Sequence, residues 1–259
     1  MLIAAQLYTV RDHLRDPHRL GEVLRHLRRI GYGAVEVAGL GPGLEVELTK
    51  QLEATGLTAC AAHVSLDQLA TDPDAIASRC NEWGCEYAVI PSVSSEFHSA
   101  AGYRRLAALA TELAAALRPH GIGLAYHNHA FELETMDGTN GLEVLYQSAS
   151  PDDLKAELDT YWLRYAGVDP AKWIRRLAGR VPLVHLKDMS MTGETIVQTE
   201  IGQGELDWPD ILGACRDAHT DWLIVEQDDC AGDPLESLDI SYRNLARLLS
   251  GQDGGGPKI

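Results

Sequence analysis

Short apolar segments alternate with amphipathic helical segments along almost the whole chain. The apolar segments, which predict strands, are residues 3–7, 34–37, 57–62, 87–90, 122–126, 154–158, 181–186 and 222–225. Most of them are apolar at successive positions rather than at alternate ones, which is typical of parallel strands that are covered on both faces. The pattern therefore predicts a parallel sheet with helices packed against it.

Helical patterns fill the intervals between these strands, and prolines and glycines mark their ends. The helices are predicted over residues 17–30, 44–55, 103–118, 139–148 and 234–249, with three more beginning near residues 72, 169 and 207. Residues 190–205 are polar and predict a long loop. The strand–helix unit thus recurs about eight times in 259 residues, which fits a (β/α)8 TIM barrel of one domain.

A doubly wound open sheet is the alternative fold, but it usually carries a glycine fingerprint after its first strand. Here that turn reads Thr-Val-Arg-Asp, over residues 9–12, so the barrel is favoured. We expect the barrel to span residues 1–250. The glycine-rich residues 251–259 are expected to form a flexible tail.

The composition excludes several classes of function. A net charge of -16 disfavours nucleic acid and anionic membranes as partners. The five cysteines include no CxxC pair and indicate reduced, mostly buried thiols. The first residues lack the features of a signal peptide, and no apolar run approaches the ~20 residues of a membrane span. We therefore expect a soluble, cytoplasmic protein.

The fifth strand segment ends in a cluster of imidazoles and a carboxylate. Residues 122–126 are followed by His127, Asn128, His129 and Glu132. Burying such groups without partners costs several kcal/mol (about 2–7 per polar group), so a divalent metal is one explanation for them. The other is a solvated loop whose histidines bond to the neighbouring backbone.

Polar residues also end most of the other strand segments. They are Gln6, Glu36, His63, Asp159, His185, Lys187 and Glu226. In a TIM barrel the carboxyl ends of all strands meet at one rim, where the chemistry is carried out. Carboxylates with histidine suit Mn2+, Mg2+, Co2+ or Zn2+. Taken singly, Asp159 is equally explained as a cap of the turn at Thr160 and His185 as a core histidine.

Five stretches resemble the sugar phosphate isomerase/epimerase family, also called xylose isomerase-like. They are YHNHAFE at 126–132, residues 156–189 with LDTYW and HLKD, IGQGELDWPDIL at 201–212, LIVEQDD at 223–229 and PLESLDISYRNL at 234–245. The resemblance implies a TIM barrel with one divalent metal, held by an acid together with Asp159, His185 and Glu226. Many relatives carry Glu-Asn-His where this chain has His127, Asn128 and His129. The first ligand is therefore either His127 or Glu132, and we favour Glu132 because a third carboxylate better neutralises the ion.

These residues fit an isomerase or epimerase that moves a proton beside a carbonyl through a metal-stabilised enediolate. Glu226 is the expected base, with Glu132 or His127 on the opposite side of the substrate. Lys187 is expected to bind a substrate oxygen or polarise a carbonyl, unless it only forms a rim salt bridge with Asp188. The expected substrate-binding residues are Gln6, Glu36, His63, His129 and Trp162.

Three other functions remain open. The same groups suit a metal-dependent dehydratase of a keto-cyclitol or 3-keto sugar, as in the inosose dehydratases of the family. An abasic-site endonuclease is disfavoured by the acidic charge, and a non-catalytic sugar-binding barrel would not need the full set of polar residues.

No glycine-rich phosphate cradle is evident, since Gly202 and Gly204 are equally explained as a structural turn. The expected partner is thus a small, non-phosphorylated sugar or keto sugar, and a homodimer is compatible with such a barrel.

Overall fold

Eight parallel strands pair edge to edge and close into a barrel. The strands are β1 (Leu2–Gln6), β2 (Ala34–Val37), β3 (Thr58–His63), β4 (Tyr87–Ile90), β5 (Gly123–His127), β6 (Lys155–Asp159), β7 (Leu183–Leu186) and β8 (Trp222–Val225). β1 pairs with both β2 and β8, which closes the ring. This computed structural model, which describes residues 1–136, 138–193 and 195–251, confirms the predicted TIM barrel.

Helices follow the strands around the outside of the barrel. They are α1 (Pro17–Ile30), α2 (Glu45–Thr55), α3 (Leu66–Thr71), α4 (Pro73–Trp83), α5 (Ala100–Leu117), α6 (Gly141–Ser148), α7 (Thr160–Tyr165), α8 (Pro170–Arg176), α9 (Trp208–Asp217) and α10 (Pro234–Ser250). The sequence pattern missed α3 and α7, each of which has only six residues. Both are too short for a helical period, but each begins at a side-chain cap, Ser65 and Asp159 respectively.

The prediction of a long polar loop over residues 190–205 was wrong. Antiparallel strands Asp188–Thr192 and Thr195–Thr199 form a hairpin on the C-terminal side of β7. Cross-strand hydrogen bonds satisfy the backbone of this polar segment, and its Thr, Val and Ile residues suit an extended chain. The segment lacks a buried face along its full length, so hydrophobic periodicity did not reveal it.

Small and large side chains fill the barrel interior below the rim. They are Ala4, Ala34, Cys60, Ala61, Val89, Ala125, Leu183, Trp222 and Ile224. The larger hydrophobic core lies between the sheet and the helices. Above the interior layer, polar side chains at the carboxyl ends of the strands turn inward and meet.

The carboxylate of Asp188 holds the segment between β7 and α9 in place. It accepts backbone N–H hydrogen bonds from Met189, Gly202, Gly204 and Leu206 at 2.8–3.2 Å and the indole N–H of Trp208 at 2.7 Å. A Cβ at Gly204 would lie 2.3 Å from Asp188 Oδ1, so this position requires glycine. The two glycines of GQG are therefore structural.

The helices and the cysteines of the described residues bear on the expectations about membrane spans and thiols. Among them, no helix combines the length and the apolar character that a membrane crossing requires. All five cysteines are free, and four of them are buried. Gly251 ends α10 in the left-handed conformation, while residues 252–259 of the expected tail lie outside the described residues.

Replacing Asp188 by Asn tests its structural role. The amide keeps the size of the side chain but directs an NH2 group at N–H donors, so the free energy of unfolding should fall by about 2–4 kcal/mol. Urea unfolding followed by circular dichroism measures this change. The matched control is Asp152→Asn, at an exposed position. Equal stability of both variants would contradict the structural role.

Candidate active site

Ionisable side chains from six strands meet at the carboxyl end of the barrel. Most of the predicted site residues lie here and are buried: Gln6, Glu36, His127, Asp159, His185, Lys187 and Glu226, with His63 at 12% side-chain exposure. The strands position them because each ends with an inward-facing residue at the same rim. They form two adjoining groups, which we name the outer and the inner cluster.

The outer cluster consists of Asp159, His185, Glu226 and Lys187. His185 Nδ1 lies 2.6 Å from Glu226 Oε2 and 4.0 Å from Asp159 Oδ2. Lys187 Nζ lies 2.9 Å from Asp159 Oδ2 and 2.7 Å from Glu226 Oε2. Two carboxylates and one imidazole thus face a common point, and a lysine ammonium spans the two carboxylates.

The inner cluster consists of Glu36, His63, His127 and Glu157. Glu157 Oε2 lies 2.9 Å from His63 Nε2 and 3.1 Å from His127 Nδ1. Glu36 Oε2 lies 3.4 Å from His63 Nε2 and accepts a 2.7 Å hydrogen bond from the amide of Gln6. The inner cluster is therefore richer in imidazole than the outer one.

Two histidines connect the clusters. The second nitrogen of His185, Nε2, lies 2.6 Å from Glu36 Oε2 and 3.3 Å from Glu157 Oε2. His127 directs Nε2 towards Asp159 Oδ2 at 3.8 Å, while its Nδ1 contacts Glu157. Each ring therefore faces carboxylates of both clusters, and a change in one cluster acts directly on the other.

The carboxyl groups differ in their preference for a proton. Burial opposes the ionisation of Glu226, but Lys187 and His185 outweigh it and lower the pKa of Glu226 well below its usual range. Burial raises the pKa of Asp159 to about 6 despite Lys187 and His185. Burial and the neighbouring Glu157 raise the pKa of Glu36 to about 7. Glu226 is thus the carboxylate that stays ionised most readily in the outer cluster.

The histidines of the two clusters also differ. Burial opposes the protonation of His185, but Glu157, Glu226 and Glu36 raise its pKa well above the usual value. Burial and the charge on His185 lower the pKa of His127 well below its usual value. His127 is therefore available as a neutral imidazole, which can accept a proton or bind a metal.

Lys187 contacts carboxylates on three sides. Besides Asp159 and Glu226, its Nζ lies 2.9 Å from Asp228 Oδ2. Burial opposes its charge, but the three acids raise the pKa of Lys187 well above its usual value, so it stays a cation. The alternative of a rim salt bridge with Asp188 was wrong, because the Asp188 carboxylate faces the N–H groups of the following segment.

Glu132 is held apart from both clusters. One of its oxygens accepts a 2.8 Å hydrogen bond from the Tyr126 hydroxyl and the other a 2.9 Å bond from the His129 backbone N–H. Burial raises the pKa of Glu132 to about 7. Among the described residues, two groups of acids and histidines have ligand atoms within 4.8 Å of one another, and Glu132 belongs to neither. The structure thus gives Glu132 a role in shaping the loop after β5.

A cavity of about 280 Å3 opens onto the outer cluster. Its lining residues are Tyr8, His63, Pro91, Ser92, His127, His129, Lys187, Glu226 and Asp228. Trp162 lies beside it, with its ring 5.3 Å from that of His129 between centroids. Burial and the nearby Lys187 lower the pKa of His129 to about 4, so its ring is neutral and can both donate and accept hydrogen bonds. Gln6 and Glu36 bond to each other and are not among the lining residues.

Sequence analysis assigned no individual role to three residues of the site. Glu157 is central to the inner cluster, Asp228 holds Lys187, and Asn128 accepts the Asp159 backbone N–H at 3.1 Å. Glu157 precedes Asp159 by two residues, and two-residue spacing on a strand puts both side chains on one face. That spacing was the signal by which Glu157 could have been found.

Comparison with known proteins identifies relatives of this chain. The Inosose dehydratase of Geobacillus kaustophilus is 22% identical over 282 residues, covering 90% of this chain and 87% of the relative. The Rhizopine catabolism protein MocC of Rhizobium meliloti is 27% identical over 161 residues. That match covers 54% of this chain and only 48% of the relative's length.

Solved structures share the fold at low sequence identity. A sugar phosphate isomerase/epimerase from Parabacteroides distasonis superimposes with a TM-score of 0.79 at 18% identity, covering 95% of this chain and 97% of its own. An IOLI protein described with a zinc atom has a TM-score of 0.71 at 15% identity, and the match covers 97% of this chain and 99% of that protein. An L-ribulose 3-epimerase has a TM-score of 0.73 at 15% identity, and the match covers 97% of this chain and 95% of that protein.

The family model described as "Xylose isomerase-like TIM barrel" matches residues 24–247, which is most of the chain. The proteins named above include an epimerase and a dehydratase. The closed barrel, the polar rim and this match agree with one another. The chain therefore belongs to the xylose isomerase-like TIM barrel family.

Proposed function

We propose that this protein is a divalent-metal-dependent isomerase or epimerase of a keto sugar or related polyol. The observation that carries the proposal is the outer cluster, in which Asp159, His185 and Glu226 face one point beside a cavity of about 280 Å3. A cavity of this size suits a small sugar rather than a polymer. The relatives include an L-ribulose 3-epimerase of the same fold, which supports the reaction class.

The donor set of the outer cluster fits a divalent metal. Ligand atoms of Asp159, His185 and Glu226 lie within 4.8 Å of one another, and one imidazole with two carboxylates suits Mn2+, Mg2+, Co2+ or Zn2+. Asp159 Oδ2 and Glu226 Oε2 are held in the described residues by the Lys187 ammonium at 2.9 and 2.7 Å, so the same two oxygens already face a cation. The other nitrogen of His185 is held by Glu36, a common arrangement for a metal-binding histidine.

His127 is a better candidate than Glu132 for a role beside this metal. Its Nε2 lies 3.8 Å from Asp159 Oδ2, whereas both oxygens of Glu132 are engaged by Tyr126 and His129. His127 also lines the cavity. We therefore assign Asp159, His185 and Glu226 as the protein ligands, and His127 as an acid–base group next to them.

A bound divalent ion would supply Lewis-acid stabilisation of the negative charge that develops on substrate oxygens. Glu226, which stays ionised and lines the cavity, takes the proton from the carbon beside the carbonyl. The neutral His127 ring is placed to hold or return a proton from a different strand. Lys187 remains protonated, so it binds substrate oxygen as a cation and does not serve as a base or a Schiff-base nucleophile.

Substrate hydroxyls are bound by the polar groups that line the cavity. His129 is neutral and offers both a donor and an acceptor, and His63 reaches the same space from β3. Gln6 and Glu36 act below the substrate, where they orient His185. Trp162 flanks His129 and supplies an apolar surface at the edge of the cavity.

A dehydratase is the second candidate, because an inosose dehydratase aligns with 90% of this chain. In that reaction Lys187, as a protonated group at the cavity, would donate a proton to the departing hydroxyl. The two reactions share their first step and differ in whether a hydroxyl leaves before the proton returns. Incubation with keto sugars or keto-cyclitols in deuterated water separates them. An epimerase incorporates deuterium without loss of water, whereas a dehydratase forms an unsaturated product that absorbs in the ultraviolet.

Conservative variants of the outer cluster test the metal assignment. In Asp159→Asn and in Glu226→Gln the affinity for Mn2+ should fall by about 100-fold or more, since each variant removes an anionic ligand while keeping its size. Isothermal titration of the metal-free proteins measures this affinity, and Glu205→Gln, at an exposed position, is the control. Unchanged Mn2+ affinity in both variants, with the fold intact, would contradict the assignment.

Lys187→Met tests whether the lysine competes with the metal for Asp159 and Glu226. Removing the ammonium takes away one of the two cationic side chains that face the buried carboxylates of Asp159 and Glu226, so the metal-free variant should melt at a lower temperature than the wild type. Its metal affinity should rise by about tenfold or more, because repulsion between charges 4 Å apart is worth about 4 kcal/mol at an effective dielectric of 20. Thermal melts with and without Mn2+ measure both effects. The assignment of Lys187 fails if added Mn2+ raises the melting temperature of variant and wild type equally.

A further inference from the structure

The inner cluster lies beside the outer one. The mechanism above uses Glu36 to orient His185, His127 to transfer a proton and His63 to bind substrate, but it assigns no role to Glu157. We propose that it is a second divalent-metal site, with His63, His127 and Glu157 as ligands and Glu36 as the fourth. The proposal stands on the geometry of these residues and does not depend on which reaction the outer cluster supports.

The hydrogen bonding of Glu157 is unbalanced without a cation. Three imidazole nitrogens, from His63, His127 and His185, lie 2.9, 3.1 and 3.3 Å from its single oxygen Oε2. A carboxylate oxygen has two lone pairs in its plane, so it does not satisfy three such donors equally. Meanwhile Oε1 of Glu157 and Oε1 of Glu36 are buried, and neither has a hydrogen-bond partner among the described residues. A cation among these atoms would use the free oxygens and relieve the crowding on Oε2.

The distances within the cluster are close to those between the ligand atoms of a metal site. In a tetrahedral site with bonds of about 2.0–2.1 Å, ligand atoms lie about 3.4 Å apart. The separations of 2.9, 3.1 and 3.4 Å between the imidazole nitrogens and the carboxylate oxygens of the inner cluster need only small movements to match this value. The ligand atoms of His63, His127, Glu157 and His185 all lie within 4.8 Å of one another. Three of the four proposed ligands, His63, His127 and Glu157, belong to this group, and the fourth, Glu36, has its Oε2 3.4 Å from His63 Nε2.

The charge of the inner cluster suits a divalent cation. Glu36 and Glu157 are both 0% exposed, and among the described residues they pair with histidines and not with lysine or arginine. Lys187, the buried cation nearby, pairs instead with Asp159, Glu226 and Asp228. One divalent ion would balance the two inner carboxylates with the histidines neutral, as metal binding requires.

The donor types separate the two sites by metal preference. The inner cluster offers two imidazoles and two carboxylates, which suit Zn2+, Co2+ or Fe2+. The outer cluster offers one imidazole and two carboxylates, which suit Mn2+ or Mg2+ more closely. His185 then binds the outer metal through Nδ1 and donates its Nε2–H to Glu36. His127 binds the inner metal through Nδ1, and its Nε2, 3.8 Å from Asp159 Oδ2, stays available for the proton transfer proposed above.

A metal has a route to the inner cluster through His63. This side chain lines the cavity of about 280 Å3 and also a second cavity of about 190 Å3 between β2, β3 and α4. Its ring is stacked on that of His185, with centroids 5.6 Å apart and planes 5° from parallel. A small rotation of a single, partly exposed imidazole therefore opens the inner ligands to solvent.

Cobalt binding to the intact chain tests the proposal. Metal-free protein is titrated with Co2+, and elemental analysis after dialysis gives the number of ions per chain while the visible absorption reports each coordination. The wild type should bind two Co2+ ions per chain. Glu157→Gln and His63→Ala should each bind one, at the outer cluster. Asp159→Asn should also bind one, at the inner cluster, and its visible spectrum should differ from those of the other two variants. Glu157→Gln keeps the shape of the side chain, so it tests the site even where His63→Ala does not fold. His120→Ala, on the surface, is the control and should bind two ions.

The outcomes separate this proposal from the proposed function. One Co2+ per wild-type chain that is lost in Asp159→Asn and retained in Glu157→Gln and His63→Ala would overturn the inner site and leave the outer one. One Co2+ that is lost in Glu157→Gln and retained in Asp159→Asn would support the inner site and count against the outer assignment. A wild-type chain that binds no Co2+ would overturn both.

Discussion

The structure of this site depends on a constraint of charge burial. Four carboxylates, those of Glu36, Glu157, Asp159 and Glu226, lie inside the barrel at 5% exposure or less. Each would be costly to bury alone, so each must face a cation, a protonated ring or a metal. His185 meets this need from the centre, with one nitrogen 2.6 Å from Glu226 and the other 2.6 Å from Glu36. The remaining side chains of the rim are arranged around that pairing.

The barrel makes this burial possible through its closed wall and its fixed rim. An apolar layer that includes Ala4, Leu183 and Ile224 fills the interior below the site, while Asp188 fixes the segment after β7 through five N–H donors. The closed wall and the fixed rim together hold the polar side chains in one arrangement. A preorganised set of charges at a cavity is what proton transfer beside a carbonyl requires. The scaffold and the proposed chemistry therefore follow from the same packing.

The sequence allowed most of the fold to be predicted, because uniform apolar strands and capped helices are local signals. It also located the rim residues, since polar groups directly after buried strands stand out. It did not separate Glu132 from His127, because both lie within six residues of the same strand and only their hydrogen bonds distinguish them. The hairpin of residues 188–199 was missed as well, since its strands pair with each other away from the barrel.

The sequence by itself determined the strand–helix order, the family resemblance and the presence of acids and histidines at strand ends. Each of these is written in short-range patterns of residue type. Only the tertiary structure decided which of those residues meet, because distances between strands far apart in the chain depend on barrel closure and on the inward turn of each side chain. That closure brings Glu157 and Glu36, 121 residues apart in the chain, onto the same imidazoles. Two adjoining clusters, rather than one, are the result.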